Sequence, residues 1–211
     1  VVIEDSLQKP IADLVAAMQA TIMWRSHYCG IQTRKAPTDF WVYQEIIWEF
    51  RPDAIIEIGN YNGGSTLALA HMLDRVGHGS VIGVDVDHTH VAEMARNHPR
   101  VMLVTGDAAS VVGMVRESVL GLKTVMVIED SSHTIDNTLK VLRTYSPLVT
   151  MGSYFVVEDS IIWHGVPGGA GDGPYEAIEL FLKETDSFVP DRNRESFMLT
   201  WNPKGFLRRV K

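Results

Sequence analysis

The sequence predicts an α/β fold, a doubly wound and mostly parallel sheet with helices on both faces. Two observations carry this. Apolar runs of strand length alternate with segments of helical periodicity from Ala54 to Glu184, which is the pattern of consecutive strand–helix–strand units with crossovers of one hand. The run Ala54–Ile58 breaks into a glycine-rich turn, as a parallel strand covered on both faces does.

The elements follow in order. A first helix falls within residues 1–24, where Leu7, Ile11, Leu14, Val15, Met18 and Ile22 recur at helical spacing and Asp5 or Ser6 supplies a cap. It packs on its own domain or on a second copy, so a homo-oligomer stays open. Residues 25–38 read as irregular. Thr38 caps a second helix over 39–50, which Pro52 closes off. Residues 1–50 thus form a helical segment packed on a core of 51–211, within one domain. After the turn at Gly59, Gly63 and Gly64 comes a helix over 65–73. The second strand, 80–84, ends in Asp85, and a helix over 91–97 follows. The third strand, 101–105, ends in Gly106-Asp107 and leads to a helix over 110–119. The fourth, 124–128, ends in Glu129-Asp130 and leads to a helix over 136–145. The fifth, 153–157, ends in Glu158-Asp159. A glycine-rich loop, 165–174, precedes a helix over 175–184. The tail reads as a β-hairpin of 197–201 and 206–210 joined by Asn-Pro-Lys-Gly, adding an antiparallel strand at one edge. Ile-Glu-Asp-Ser recurs at Ile3, at Ile128 and, with Val, at Val157; the first copy, which precedes a helix, reads as coincidence or capping.

Composition bounds the function. The 211 residues are 45% hydrophobic and 21% charged, as in soluble domains with a real core. A net charge of −7 argues against a nucleic-acid partner. No apolar run reaches the length of a membrane span, and no secretory signal is legible. The single Cys29 excludes an internal disulfide framework and fits a reducing compartment. A cytoplasmic protein without a membrane partner is the expectation. The chain begins at Val1 rather than Met, as a trimmed or excised chain would.

The turn Glu57-x-Gly59-x-x-x-Gly63-Gly64 departs from the Gly-x-Gly-x-x-Gly dinucleotide pattern, which disfavours a nicotinamide dehydrogenase. Glycines let the backbone bend sharply and a ligand lie close, and free amides at the helix start suit an anion. An acidic residue before the first glycine fits an ammonium better than a pyrophosphate. S-adenosylmethionine carries both an amine and a carboxylate. Asp85, 26 positions after Gly59, is placed to accept hydrogen bonds from a ribose diol. A tight turn with no ligand is the alternative.

The fourth and fifth strands deliver acidic pairs to the sheet end where ligands bind. As neighbours about 4.8 Å apart, they bring Asp130, Glu158 and Asp159 to one point. Crowded carboxylates repel, and desolvation adds to the cost. A divalent cation resolves the conflict, and all-oxygen ligands favour Mg2+. Solvated strand ends without a metal are the alternative. His133 is either a general base beside the metal or a helix cap. His88 and His90, in Asp-His-Thr-His, read as a solvated loop. No histidine is followed by x-Asp or x-Glu, which counts against an iron oxygenase. The serines lack a Gly-x-Ser-x-Gly elbow, which counts against a serine hydrolase.

These residues resemble the cephalosporin hydroxylase family, also labelled rhamnosyl O-methyltransferase. The resemblance runs from about Gly30 to Arg209. It is carried by Lys35-Ala-Pro-Thr-Asp39, Tyr43-Gln-Glu-Ile-Ile47, Ile56-Glu-Ile-Gly59, Gly63-Gly-Ser65, Val81-Ile-Gly-Val-Asp85 and Val125-Met-Val-Ile-Glu-Asp-Ser-Ser-His133. Pro147-Leu-Val149, Gly152-Ser-Tyr154, Val157-Glu-Asp159 and Gly205-Phe-Leu207 extend it. Where the family often shows Leu-Asp-Ser-Asp-His, this chain has Glu129-Asp130-Ser131-Ser132-His133.

The resemblance implies a Rossmann-like class I methyltransferase fold that uses S-adenosylmethionine and Mg2+. It implies that Glu57, Gly59, Tyr61, Asn62, Gly63, Gly64, Ser65, Thr66, Asp85, Asp107 and Ala108 hold the cofactor. Asp130, Glu158 and Asp159 hold the metal, with Glu129 an open question. The expected reaction is methyl transfer to a hydroxyl of a small molecule such as a sugar, polyketide or other secondary metabolite. Asp130 and His133 are its catalytic candidates, and Lys35 a further one. The loop His164–Gly173 is expected to close over the acceptor. Two rivals are a metal-dependent hydroxylase or hydrolase using the same carboxylates, and a non-catalytic cofactor-binding scaffold.

Overall fold

Chain order and hydrophobic pattern build one seven-stranded sheet with a short ribbon beside it. The structure is a computed structural model that describes residues 8–164 and 171–211. Helix α1 (Ile11–Arg25) leads to an antiparallel ribbon, β1 (His27–Tyr28) and β2 (Ile31–Gln32), and then to α2 (Pro37–Phe50). There follow β3 (Ala54–Ile58), α3 (Gly64–Val76), β4 (Ser80–Asp85), α4 (Glu93–Arg96), β5 (Val101–Thr105) and α5 (Ala108–Ser118). The second half holds β6 (Val125–Glu129), α6 (Ile135–Tyr145), β7 (Tyr154–Val157), α7 (Pro174–Glu184), β8 (Phe188–Pro190) and β9 (Phe206–Arg209).

The sheet order is β5-β4-β3-β6-β7-β9-β8. β3 to β7 run parallel, and β9 is antiparallel to both its neighbours. Strand order reverses between β3 and β6, the position where such sheets open a ligand crevice. All five residues of β3 are buried because helices cover both faces. Ala54, Ile56 and Ile58 pack with α5, α6 and α7, and Ile55 packs with α2 and α3. Each fully buried isoleucine is worth about 1.5–3 kcal/mol of apolar transfer.

Several boundaries differ from the expectations for physical reasons. The antiparallel edge exists, but the partner of β9 is Phe188–Pro190 and not 197–201. The latter stretch is held by a carboxylate: Trp201 N donates to Asp39 Oδ2 at 2.7 Å and Thr200 Oγ1 donates to Asp39 Oδ1 at 2.6 Å. Thr38 does not cap α2. The cap position is Ala36, with Pro37 in the first turn, where a missing N–H costs nothing. Leu7, Asp5, Ser6 and the Ile3 copy of the repeat lie outside the described residues. Ile11 faces solvent, whereas Val15 and Ile22 pack against Ala36 and Trp201, so α1 is seated on its own chain. The ribbon falls in the stretch that reads as irregular. Among the described residues no helix is long and apolar enough to cross a membrane.

Candidate active site at the carboxyl end of the sheet

The glycine turn after β3 is built on Glu57. Its side chain is buried, and Oε2 accepts from Asn60 Nδ2 at 2.9 Å and Thr66 Oγ1 at 2.5 Å. Burial raises its pKa, partly opposed by Lys35 and the hydroxyls of Ser65 and Thr66. Oε1 is buried and without a partner. Asp85 ties the second side of the turn, with Oδ2 accepting from Asn60 N at 2.7 Å and Tyr61 N at 3.3 Å. Gly63 abuts Val91 and Ala95, and Gly64 abuts Ile31 of the ribbon and Thr33 just beyond it. Tyr61 is gripped from the same side, its hydroxyl donating to Gln32 Oε1 at 3.1 Å and its ring lying under Arg34.

His88 is not part of a solvated loop. It is buried, with Nε2 3.0 Å from Asn60 Oδ1 and Nδ1 2.8 Å from Thr105 Oγ1. Burial lowers its pKa and keeps it neutral. It therefore links the glycine turn to the end of β5. His90 is exposed, as expected.

A cleft of about 370 Å³ opens beyond these strand ends, within the size range of small-molecule sites. Gly59, Tyr61, Asp85, Asp107 and Ala108 line it, and its apolar wall is Ile58, Val84 and Val86. Asn62, Ser65 and Thr66 belong to the turn and first helical residues behind it. Asp107 also caps α5, accepting from Ser110 N at 3.1 Å. Gly106, Ser131, Ser132 and Asn137 also line it; the two serines lie in the Glu129–His133 motif, while Asn137 carries no sequence signal of its own. The apolar wall and the acidic edge of Asp85 and Asp107 fit an adenosine-bearing cation, whereas Glu57, with its unpartnered oxygen, is buried behind the cleft and does not line it.

Asp130 belongs to this cleft and to the acidic cluster next to it. It directly follows β6, its N–H donating to Ile58 O at 2.8 Å. Ligand-type atoms of Asp130, His133 and Asp159 all lie within 4.8 Å of one another. His133 Nε2 faces Asp130 Oδ1 at 3.8 Å and Asp159 Oδ2 at 3.5 Å. Glu158 is turned differently from the expected three-carboxylate point. Its Oε2 accepts from Lys35 Nζ at 2.7 Å, while Oε1 is buried and unpartnered. Glu129 is excluded from the cluster by strand alternation: it is fully buried and accepts from Ser131 Oγ.

The electrostatics show a shortage of positive charge. Burial, then Asp130, pushes Glu158 well above the usual carboxylate range. Burial pushes Asp159 up to about 6, against the pull of His133. Lys35 goes the other way. Burial would lower its pKa, but Asp130, Glu158 and Glu57 outweigh that and hold it protonated above the usual lysine range. A lysine so held accepts no proton near neutral pH, which removes it as a base. Crowded carboxylates with an orphaned buried oxygen fit a hard divalent cation.

A second cluster, His71, Asp74 and His98, does not share this character. Arg100 Nε donates to Asp74 Oδ1 at 2.7 Å. The Arg100 N–H donates to His98 Nδ1 at 3.2 Å, so the ring proton sits on Nε2, 3.1 Å from Asp74 Oδ2. Neither ring nitrogen of His98 keeps a free lone pair for a metal.

The ends of the expected lid are anchored. The His164 ring stacks on Tyr175, and Gly173 N donates to Glu176 Oε2 at 2.8 Å. Residues 165–170 of that loop lie outside the described residues.

Comparison with known proteins agrees with this geometry. The family model described as Rhamnosyl O-methyltransferase/CmcI matches residues 20–210. A rhamnosyl O-methyltransferase of Mycobacterium bovis is 36% identical over 198 residues, covering 89% of this chain and 80% of that protein. One from Mycobacterium leprae is 35% identical over 191 residues, covering 86% and 82%. A solved structure of CmcI with Mg and S-adenosylmethionine superposes with a TM-score of 0.70 at 26% identity, covering 88% of this chain and 77% of that one. With a match over most of its length, the chain belongs to the Rhamnosyl O-methyltransferase/CmcI family.

Proposed function

We propose that the chain methylates a hydroxyl of a sugar-bearing small molecule, with the roles of individual residues as follows. Its activity is that of an S-adenosylmethionine-dependent O-methyltransferase, and S-adenosylmethionine and Mg2+ are its cofactors. The observation that carries the residue assignment is the double membership of Asp130, which lines the cleft and belongs to the cation cluster. A methyl donor in the one and a cation at the other are then neighbours.

Glu57, the turn Gly59–Thr66, Asp85 and the Asp107-Ala108 step hold the cofactor. Glu57 Oε1 answers its ammonium, and Asp85 keeps lone pairs for its ribose. Asp130, Asp159 and the unpartnered oxygen of Glu158 hold Mg2+, because this ion prefers oxygen to imidazole. When bound, Mg2+ polarises and orients the acceptor oxygen while S-adenosylmethionine supplies the electrophilic methyl. His133 is thereby left free as the general base, and the carboxylates it faces stabilise the imidazolium that forms. The protein's further contribution is positioning, since a bound acceptor and a bound donor react as one molecule. The sugar acceptor is supported by the names of the relatives at 36% and 35% identity.

The test is transfer of a labelled methyl to a panel of sugar-bearing acceptors, with Mg2+ or with a chelator. Asp159→Ala should abolish metal-dependent turnover and leave S-adenosylmethionine binding nearly intact. Wild-type turnover in chelator refutes the metal role. Product formed without S-adenosylmethionine favours the hydrolase or oxygenase reading instead.

A further inference from the structure

Lys35 enters the acidic cluster from outside the sheet. It lies between the β1–β2 ribbon and α2, 95 residues from Asp130 and 123 from Glu158 in sequence. Its backbone is fixed on both sides by one hydroxyl. Lys35 N donates to Ser26 Oγ at 3.1 Å, and Ser26 Oγ donates to Lys35 O at 2.9 Å. The side chain is only 6% exposed, and Nζ bonds Asp130 Oδ2 and Glu158 Oε2. Those are two of the three carboxylates assigned to the cation above. The opposite oxygens behave differently: Asp130 Oδ1 faces His133, and Glu158 Oε1 has no partner. Each carboxylate thus has one oxygen on the ammonium and one turned elsewhere.

We propose that Lys35 is a built-in counter-cation that shares Asp130 and Glu158 with the divalent ion, so that it opposes metal binding while holding the two carboxylates in place. This rests on the metal assignment above. Three carboxylates and one ammonium leave two negative charges, which one divalent ion neutralises. The affinity of such sites follows the charge of their ligands. With the ammonium present, the ion meets a doubly negative site; without it, a triply negative one. Without ammonium or ion, the buried Glu158 loses its only cationic partner and faces the partly exposed Asp130 as a like charge, which is destabilising. Lys35 therefore keeps the metal-free protein folded at the expense of affinity for the ion. It is a positioning residue, since it acts on the two carboxylates and lies outside the lining of the cleft.

Lys35→Met keeps the length of the side chain and removes the charge. The full chain is purified in Mg2+, stripped with chelator, and followed by thermal unfolding and by calorimetric titration with Mg2+. The metal-free variant should melt below the wild type, and Mg2+ should raise its Tm by more than it raises that of the wild type. Its Mg2+ Kd should fall at least severalfold. Unfolding of the variant on chelation is the extreme form of the same result. Lys35→Arg keeps the charge and should bind Mg2+ within a factor of about three of wild type. If the wild type responds to Mg2+ and Lys35→Met responds equally or less, Lys35 does not compete with the ion and the proposal fails alone. If the wild type shows no response and Asp159→Asn changes nothing, the metal assignment fails and takes the proposal with it.

Discussion

Gly59→Ala tests whether the cofactor turn and the acidic cluster are one mechanical unit. Gly59 has φ +90°, and an added Cβ would overlap the backbone carbonyl of Asp130 and crowd Ser131 Cα. Two costs follow. The left-handed backbone costs a residue with a Cβ about 1–2 kcal/mol. Overpacking against backbone, which has no rotamer to move, adds about 1–3 kcal/mol. The sum of about 2–5 kcal/mol corresponds to roughly 4–20 °C in Tm for a chain of this size. Gly77 provides the control. It has the same backbone sign, φ +91°, but a Cβ there meets nothing within 4 Å. Gly77→Ala should therefore lose only the backbone cost, about 1–2 kcal/mol. The assay is thermal unfolding of both variants, followed by Mg2+ titration of the folded protein. Gly59→Ala should also weaken Mg2+ binding, because the strain is relieved by moving Asp130; Gly77→Ala should leave it unchanged. Equal losses of stability and equal Mg2+ affinities for the two variants would refute the reasoning.

Three further outcomes follow from the same geometry. Glu57→Gln keeps the shape of the turn and removes the charge, so S-adenosylmethionine should bind roughly 10- to 100-fold more weakly, the worth of a charged hydrogen bond; unchanged affinity by calorimetry would exclude Glu57 as the partner of the ammonium. His133→Ala should lower kcat by about 10²- to 10⁴-fold with cofactor affinity preserved, and a single-turnover rate near wild type would rule it out as the base. Burial holds Asp39 and Asp159 up to about 6, above their unfolded value of 3.8, so their favourable contribution is complete below that value and lost as pH rises through about 6. Each is worth at most about 3 kcal/mol at 1.36 kcal/mol per pKa unit. Metal-free protein should accordingly be more stable at pH 5 than at pH 8 in denaturant titrations, His88 working in the opposite sense. Mg2+, which needs the carboxylates ionised, should narrow the difference, and a Mg2+-independent profile would contradict this.

The parallel half of the sheet was legible because burial on both faces leaves apolar runs that need no partner to be recognised. β3 and β5 begin and end where the residues indicate. What escaped depends on residues far apart in sequence. The segment 197–201 has strand-like composition, yet Asp39, more than 160 residues away, takes its backbone and hydroxyl donors. The ribbon strands are two residues each, too short for any periodicity. His88 sits in a polar run, and only Asn60 and Thr105 folded against it make it structural. Glu129 and Asp130 are adjacent acids with opposite fates, the first the last residue of β6 and buried, the second beyond the strand and facing the cluster. Lys35 stood out only through the resemblance, and its ionic partners came from folding.

Three site residues other than glycine share an uncommon backbone. Tyr61 has φ 48°, His133 φ 52° and Asp159 φ 55°, a region that costs such residues about 1–2 kcal/mol each. They follow β3, β6 and β7, the three adjacent strands at the reversal of the sheet. The position explains the cost. A parallel strand that simply ran on would carry its next side chains away from the sheet end, whereas a left-handed residue turns the chain within one step. The core tolerates this because β3, β6 and β7 are buried along their whole length, which fixes the strand ends against relaxation. Stability drawn from the middle of the sheet thus maintains strain at its edge, where the imidazole and carboxylate that depend on it face each other.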